Sequence, residues 1–367
     1  MSQFVLILGG KGRIGSAVAN DILNHTQANI TITGRSVDSV SFLNQRVEYL
    51  RLDLQETEKL REAIAKSNLV IHCAGPFHHR DTQVLEFCID QGINYLDVSD
   101  HSSYTQKALK LNEKAVKAGV TAIINTGVFP GISNSLVRQL VDKMDIPEKI
   151  HLSYLVSGSG GAGITVMRTT FLGLQQPFTA WINGKFQLVK TYTDREEITF
   201  PKPYQKNGVY WFDMPENVTL PKSFPDVKTV ITKFGSVPDF YNHLTWMTAN
   251  IFPQWLMQKP ETIEFLSQVS YQMTNFTDQF TGVGVAVRAE VTGKKNNQKV
   301  TYTSSFVHEN TAVAAGMGTG SIAKLLLTNK LTYPGVSAVE VILNTELFTQ
   351  IIQERKIDVN YSEIPEL

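Results

Sequence analysis

The chain has 367 residues, of which 42% are hydrophobic and 19% charged, a composition that excludes disorder as its main state and suggests two domains or more. Lys+Arg and Asp+Glu number 34 each, for a formal net charge of +0, so no overall field would draw the protein to nucleic acid or an anionic membrane. Cys73 and Cys88 are too few for a disulfide framework or a cysteine-rich zinc site, and no apolar run reaches the ~20 residues of a membrane span. Apolar residues begin at Phe4 and are interrupted at Gly9, so no signal peptide is expected and a soluble cytoplasmic protein without a metal is the starting expectation.

Residues 4–8, Phe-Val-Leu-Ile-Leu, read as a strand buried on both faces of a parallel sheet. Gly10-Lys11-Gly12-Arg13-Ile14-Gly15 follows at once as G-x-G-x-x-G and opens a helix through Leu23. Strand, turn and helix stand in the order of a dinucleotide site. In that site Gly10 serves the tight turn, Gly12 the approach to a pyrophosphate, Gly15 the packing of helix on strand, and the helix N-terminus offers its N–H groups to phosphate.

The second strand, Asn29 to Thr33, ends in Gly34-Arg35-Ser36 with no carboxylate for a ribose 2′-OH. Arg35 and Ser36 instead suit a 2′-phosphate, which favours NADP(H) over NAD(H). The other reading of Arg35 is a solvated surface arginine. A third strand, Val47 to Leu52, leads to Asp53-Leu54 at a position that in such folds contacts the adenine edge. After a helix over 56–66, a fourth strand at 69–73 runs into Ala74-Gly75-Pro76-Phe77. Small residues there, beginning with Cys73, would let backbone approach the nicotinamide ribose. His78, His79 and Arg80 follow as the densest polar cluster. A helix over 82–91, a fifth strand over 94–98 ending at Ser99-Asp100-His101, a helix over about 103–118 and a sixth strand over 121–125 nearly complete a doubly wound sheet.

Beyond this point Gly158 to Gly163 lacks the Gly-Lys-Ser/Thr ending of a triphosphate site and reads as a loop between a strand and a helix. Short segments between 176 and 235 suggest an antiparallel sheet, and strands at about 283–292 and 299–307 a long hairpin. A helical segment over about 239–275, broken or kinked at Pro253, carries Phe240, Tyr241, Leu244, Trp246, Met247, Ile251, Phe252, Trp255, Leu256 and Met257. That density fits an apolar substrate cavity, a lipid-facing patch, a core or a dimer surface. Helices over about 311–328 and 338–355, joined by Tyr333-Pro334-Gly335, close the chain.

The N-terminal glycine turn, Gly34-Arg35-Ser36, Ala74-Gly75-Pro76-Phe77, Tyr95-Leu96-Asp97 and Pro130-Gly131-Ile132-Ser133-Asn134 together resemble the saccharopine dehydrogenase-like oxidoreductases. The resemblance runs on through Gly158 to Gly163, Phe200-Pro201, Leu220-Pro221 and Pro334-Gly335-Val336. It implies an α/β architecture: a Rossmann domain over 1–132 plus about 310–367, and an inserted α+β domain over about 133–309 whose antiparallel sheet forms substrate and homodimer surfaces. It also implies NAD(P)-dependent chemistry on a small molecule. One departure matters. Where the saccharopine-forming reductases commonly carry an aspartate before the Pro-Gly after strand six, this chain has Phe129, which can neither relay a proton nor pair with an ammonium.

The expected activity is therefore NADP(H)-dependent hydride transfer to or from a neutral or apolar small molecule, with His78, Asp100 and His101 as proton-transfer candidates on loops leaving strands four and five. The alternatives are a non-catalytic dinucleotide sensor and a true amino-acid dehydrogenase of the saccharopine type. No nucleic-acid partner is expected, and peripheral contact with lipid stays open through the aromatic helix.

Overall fold

The computed structural model describes residues 3–36, 44–161 and 163–364. In chain order the elements are β1 (Phe4–Leu8), α1 (Arg13–His25), β2 (Asn29–Gly34), β3 (Val47–Arg51), α2 (Thr57–Ala65), β4 (Leu69–His72), a 3-10 turn at Phe77–His79, α3 (Gln83–Asp90), β5 (Asn94–Asp97), α4 (Ser102–Leu109), α5 (Asn112–Ala118) and β6 (Thr121–Ile124). Then come α6 (Ile132–Val141), β7 (Ile146–Ser157), α7 (Ile164–Gly173), β8 (Phe178–Ile182), β9 (Lys185–Val189), β10 (Glu196–Thr199), β11 (Lys206–Trp211), α8 (Glu216–Ser223), β12 (Thr229–Val237), α9 (Phe240–Asn250), α10 (Gln254–Met257), α11 (Pro260–Thr281), β13 (Gly284–Lys295) and β14 (Gln298–His308). The chain ends with α12 (Thr311–Leu327), β15 (Gly335–Ala338), α13 (Val339–Ile342), α14 (Thr345–Arg355) and β16 (Val359–Ile364).

The first compact unit runs to Ile132 and resumes over Ala312–Ile342. Its sheet has the order β15-β6-β5-β4-β1-β2-β3, with every pair parallel. Central strands β1 and β4 are apolar along nearly their whole length because helices cover both sheet faces, as parallel sheets require. The strand order reverses beside β1, where Leu8 aligns with His72 on one side and Ile7 with Ile32 on the other. That reversal opens a crevice at the carboxyl ends of the strands.

The single helix expected over about 103–118 is two. Chain direction changes at Lys110 and Leu111, whose N–H groups close tight turns onto Lys107 and Ala108. The break turns the Asn112 side chain to accept from the Val336 N–H at 2.9 Å, so a contact 224 residues away overrides helical continuity. Val336 lies in β15, a seventh strand that replaces the expected junction between two helices, and Asn344 then caps α14 through a 2.9 Å bond from the Leu347 N–H.

The second unit comprises Ser133–Thr311 and the chain from Leu343 onward. The sequence reading places residues 343–367 with the Rossmann domain. β16 instead hydrogen-bonds along β14 from Phe306 to Thr301, which ties this tail to the second sheet. That sheet has the order β10-β11-β12-β7-β13-β14-β16, with β8 and β9 as a separate hairpin. It is mixed and not purely antiparallel: β12 runs parallel to β7 over nine residue pairs, Thr229↔Lys149 to Val237↔Ser157. The intervening α7 and α8 supply the long crossover that parallel strands need. The β13–β14 hairpin and the break before Pro253 lie where the sequence places them. In the glycine-rich stretch after β7, Ala162 lies outside the described residues.

Candidate functional site: a dinucleotide crevice with a histidine pair

The turn after β1 is held by local bonds: Gly10 N–H to Ile7 O at 3.1 Å, Gly12 N–H to Gly9 O at 2.9 Å and Lys11 N–H to Thr33 O at 3.2 Å. The left-handed residue is Gly9, with φ 74°, and not Gly10 as the motif suggested; Gly10 is instead kept small by the Ile32 side chain. Gly15 does what was expected of it. A Cβ there would stand 2.4 Å from Gly9 O and 2.6 Å from Gly10 Cα, so α1 can lie on the strand end only with glycine. At Gly12 an added Cβ meets only Gly9 O, at 3.1 Å, and the residue is exposed at the N-cap of α1. No side chain among the described residues caps this helix end, and its first turn contains no acid. Exposed Lys11 and Arg13, with half-buried Ile14, complete the loop. The outward space at Gly12 fits a pyrophosphate on the helix N-terminus.

These two glycines give opposite expectations. Gly12→Val should leave thermal unfolding within a few degrees of the parent and abolish NADPH binding. Gly15→Val should lower stability itself, because its clash is with backbone. A Gly12→Val protein that titrates NADPH as the parent does would remove the turn from the cofactor site.

At the end of β2, Arg35 and Ser36 are exposed, and Lys11 Nζ donates to Ser36 Oγ. Tyr49 from β3 anchors this corner by donating to Gly34 O at 3.0 Å. A second cation joins them that sequence reasoning had left unassigned. Arg80 Nε donates to Ala74 O at 2.8 Å, and its guanidinium is held below the ordinary arginine range by burial and by the charge of Arg35, against the opposing field of Asp53. Two guanidinium groups that repel each other beside the glycine turn suit an anion between them. The signal was present in the sequence as the run His78-His79-Arg80. Asp53 itself is half-buried and organises the turn after β3, accepting from Gln55 N–H at 3.1 Å, while Leu54 packs on the core.

Next to β1, the end of β4 carries Cys73, Ala74, Gly75 and Pro76, all half-buried. Burial pushes the Cys73 thiol far above its usual range, with Asp97 adding to the effect, so it is neutral and unreactive. Phe77, at the end of this loop, turns inward. Its ring is 3% exposed and packs on Tyr104 and His72, each at 5.0 Å between centroids, so it belongs to the core and cannot stack on a ligand.

The proton-transfer candidates sort clearly. His78 Nδ1 and His101 Nε2 are 3.0 Å apart, bringing together the loops that follow β4 and β5. The buried His101 Nδ1 has no hydrogen-bond partner among the described residues. An orphaned lone pair is more tolerable than an orphaned N–H. The favoured tautomer therefore has His101 Nε2–H donating to His78 Nδ1, which leaves the proton of His78 on Nε2. Burial, reinforced by His78, lowers His101 to about 4; burial and then His79 lower His78 as well. Both rings are neutral at pH 7. Asp100 is half-buried one residue before His101.

Behind this pair lies a buried anchor, Asp97, that its residue type and place in the sequence did not single out as a proton-transfer group. Asp97 Oδ1 accepts from Ser99 Oγ at 2.6 Å, Ser99 N–H at 3.0 Å and Asn125 N–H at 2.9 Å. Asn125 Nδ2 in turn holds Ser99 and Thr105, each at 2.9 Å. The network fixes the ends of β5 and β6, and with them the start of α4 where His101 sits. Burial raises Asp97 despite these donors. Phe129, in the loop after β6, is half-buried and presents a phenyl ring where an acid would bring charge.

A family model described as "Saccharopine dehydrogenase NADP binding domain" matches residues 5–123, the stretch that builds this crevice. Over that stretch the chain is similar to the saccharopine dehydrogenases. Its NADP-binding domain is the first unit's β1–β6 layer. A human saccharopine dehydrogenase-like oxidoreductase is 28% identical over 126 residues, 34% of this chain and 29% of that protein. Bovine mitochondrial alpha-aminoadipic semialdehyde synthase is 28% identical over 198 residues, 49% of this chain and 20% of the other. The match to a rat saccharopine dehydrogenase-like oxidoreductase spans 43% of that protein, so the chain aligns with less than half of each of these three relatives. Apo saccharopine dehydrogenase (L-Glu forming) from Saccharomyces cerevisiae shares the fold over 99% of this chain and 100% of its own, with a TM-score of 0.70 at 14% identity.

Proposed function

We propose that the protein is an NADP(H)-dependent oxidoreductase acting on a neutral or apolar small molecule, with His78 as the proton-transferring group. The observation that carries this reading is the neutral His78–His101 pair standing at the carboxyl edge of a sheet that also bears the phosphate turn and the Arg35–Arg80 corner. NADP(H), when bound, supplies the hydride donor or acceptor. Gly12 and the N-terminus of α1 would hold the pyrophosphate, and Arg35, Arg80 and Ser36 the 2′-phosphate. His78 Nδ1 is occupied by His101, which leaves His78 Nε2 for the substrate oxygen: when the pair shifts to the tautomer with a proton on each Nδ1, Nε2 takes up the proton of a substrate hydroxyl in the oxidative direction and, as imidazolium, returns one in the reductive direction, that proton exchanging with solvent. Asp97, through Ser99 and Asn125, positions the loop of His101 and does not itself transfer a proton. The zwitterionic substrates of a saccharopine-type reaction are disfavoured because Phe129 offers an ammonium no partner, at a desolvation cost of several kcal/mol. A homodimer of the second unit and a cytoplasmic setting remain part of this proposal.

Screening NADPH oxidation and NADP reduction tests the reading. Neutral ketones and alcohols should turn over, whereas lysine, glutamate and saccharopine should not. His78→Gln should lower kcat ~100-fold or more with an unchanged Kd for NADPH. Robust turnover of a zwitterionic amino acid, or a fully active His78→Gln variant, would reject it.

A further inference from the structure

The aromatic helical segment resolves into α9, α10 and α11. Although Met257, Ala249 and Ile263 are buried, it is not simply core, since Phe276 and Phe280 are 68% and 77% exposed. With α7, helices α9 and α11 enclose a cavity of about 460 Å³ over the ends of β7 and β12, within the range of small-molecule sites. Its apolar wall includes Met167, Phe171, Phe234, Leu244, Ile251 and Met273. No Asp, Glu, Lys, Arg or His is among the lining residues, so a ligand carboxylate or ammonium would be desolvated without compensation. Methionines in the wall let it adapt to a flexible chain.

The threonines of the wall have a common bias. Thr170, Thr245, Thr248 and Thr274 donate their hydroxyl protons to helix carbonyls of Val166, Tyr241, Leu244 and Tyr271, at 2.9, 2.8, 2.9 and 3.0 Å. The Tyr241 hydroxyl and Thr277 Oγ1 are 2.8 Å apart and bond to each other. With these protons engaged, the threonine oxygens keep lone pairs that accept and do not donate, while the hydroxyls of Ser236 and Ser270 on the same wall can do either.

We infer that this cavity is a binding site for an uncharged, largely aliphatic molecule bearing a hydroxyl or equivalent hydrogen-bond donor. Calling that molecule the substrate rests on the function proposed above; its binding does not, and the test is run without cofactor. The full-length protein is loaded with Nile red, an uncharged apolar dye, and titrated below their micellar concentrations with 1-decanol, decyl methyl ether, decanoate and decylammonium. Decanol should displace the dye at a concentration at least tenfold below either charged compound and several-fold below the ether, which cannot donate. Met273→Trp should fill the cavity and weaken decanol binding at least tenfold with NADPH binding unchanged. Ser270→Trp, also on the wall, decides the point if the first variant does not fold. Decanoate or decylammonium competing as well as decanol would overturn the inference, as would parental decanol affinity in a folded tryptophan variant. Decanol binding without turnover would instead count against the proposed reaction alone.

Discussion

Arg35→Ala is expected to weaken NADPH binding by about 10- to 100-fold and NADH binding by little, the loss of a charge-assisted bond to phosphate being worth ~1–3 kcal/mol. The selectivity follows from where the charge sits. Arg35 stands at the end of β2, the position from which a carboxylate would bind a ribose 2′-OH, and here its field already reaches Arg80. Removing Arg35 relieves that repulsion, so Arg80 should retain part of the phosphate contact and the single variant should keep residual preference for NADPH. Arg35→Ala with Arg80→Ala should lose the preference altogether. Calorimetric titration of both cofactors checks this. Equal losses for NADPH and NADH in the single variant would show that the arginine is a solvated surface charge.

The β1–turn–α1 unit was legible because each of its signals is local: an apolar run, a glycine pattern and a helix-period segment follow one another within 20 residues. The arrangement around it was legible wherever strand and helix alternate. What failed depended on partners distant in sequence. β15 is four residues, Gly-Val-Ser-Ala, and becomes a strand through pairing with β6, more than 200 residues earlier. The parallel pairing of β7 with β12 leaves no trace in either strand, since alternation of side chains fixes the buried face and not the direction of the neighbour. In the site, residue type was informative and geometry was not. His78 and His101 stood out as titratable groups at strand ends, but only the fold shows that they touch. Phe77 sat in the right loop for a ligand and yet turns inward, because the 3-10 turn aims its ring at Tyr104.

Acidification should destabilise the protein well before its carboxylates are fully protonated. Burial holds His72 near 3, with Arg80 adding to the effect, and lowers His101 and His151 to about 4, whereas each titrates near ~6.5 in an unfolded chain. Between about pH 6.5 and 4 the unfolded state thus binds protons that the native state refuses, and stability falls by up to ~1.4 kcal/mol per pH unit for each histidine. Asp97 has the opposite sign: burial raises it, so the native state takes up its proton first and part of the loss is offset. Against a typical stability of ~5–15 kcal/mol, three such groups are enough to place acid unfolding at about pH 4–5. His72 allows a clean check because its Nδ1 accepts from the Ala74 N–H at 3.2 Å, a bond that the Oδ1 of an asparagine can replace. His72→Asn should therefore flatten the dependence of unfolding free energy on pH between 4 and 6 by the share of one histidine, up to ~1.4 kcal/mol per pH unit, whatever its cost at pH 7. Urea unfolding at several pH values measures that slope. An unchanged slope would mean that His72 is already protonated in the native protein, and would break the assignment of a dry, neutral carboxyl end to β4.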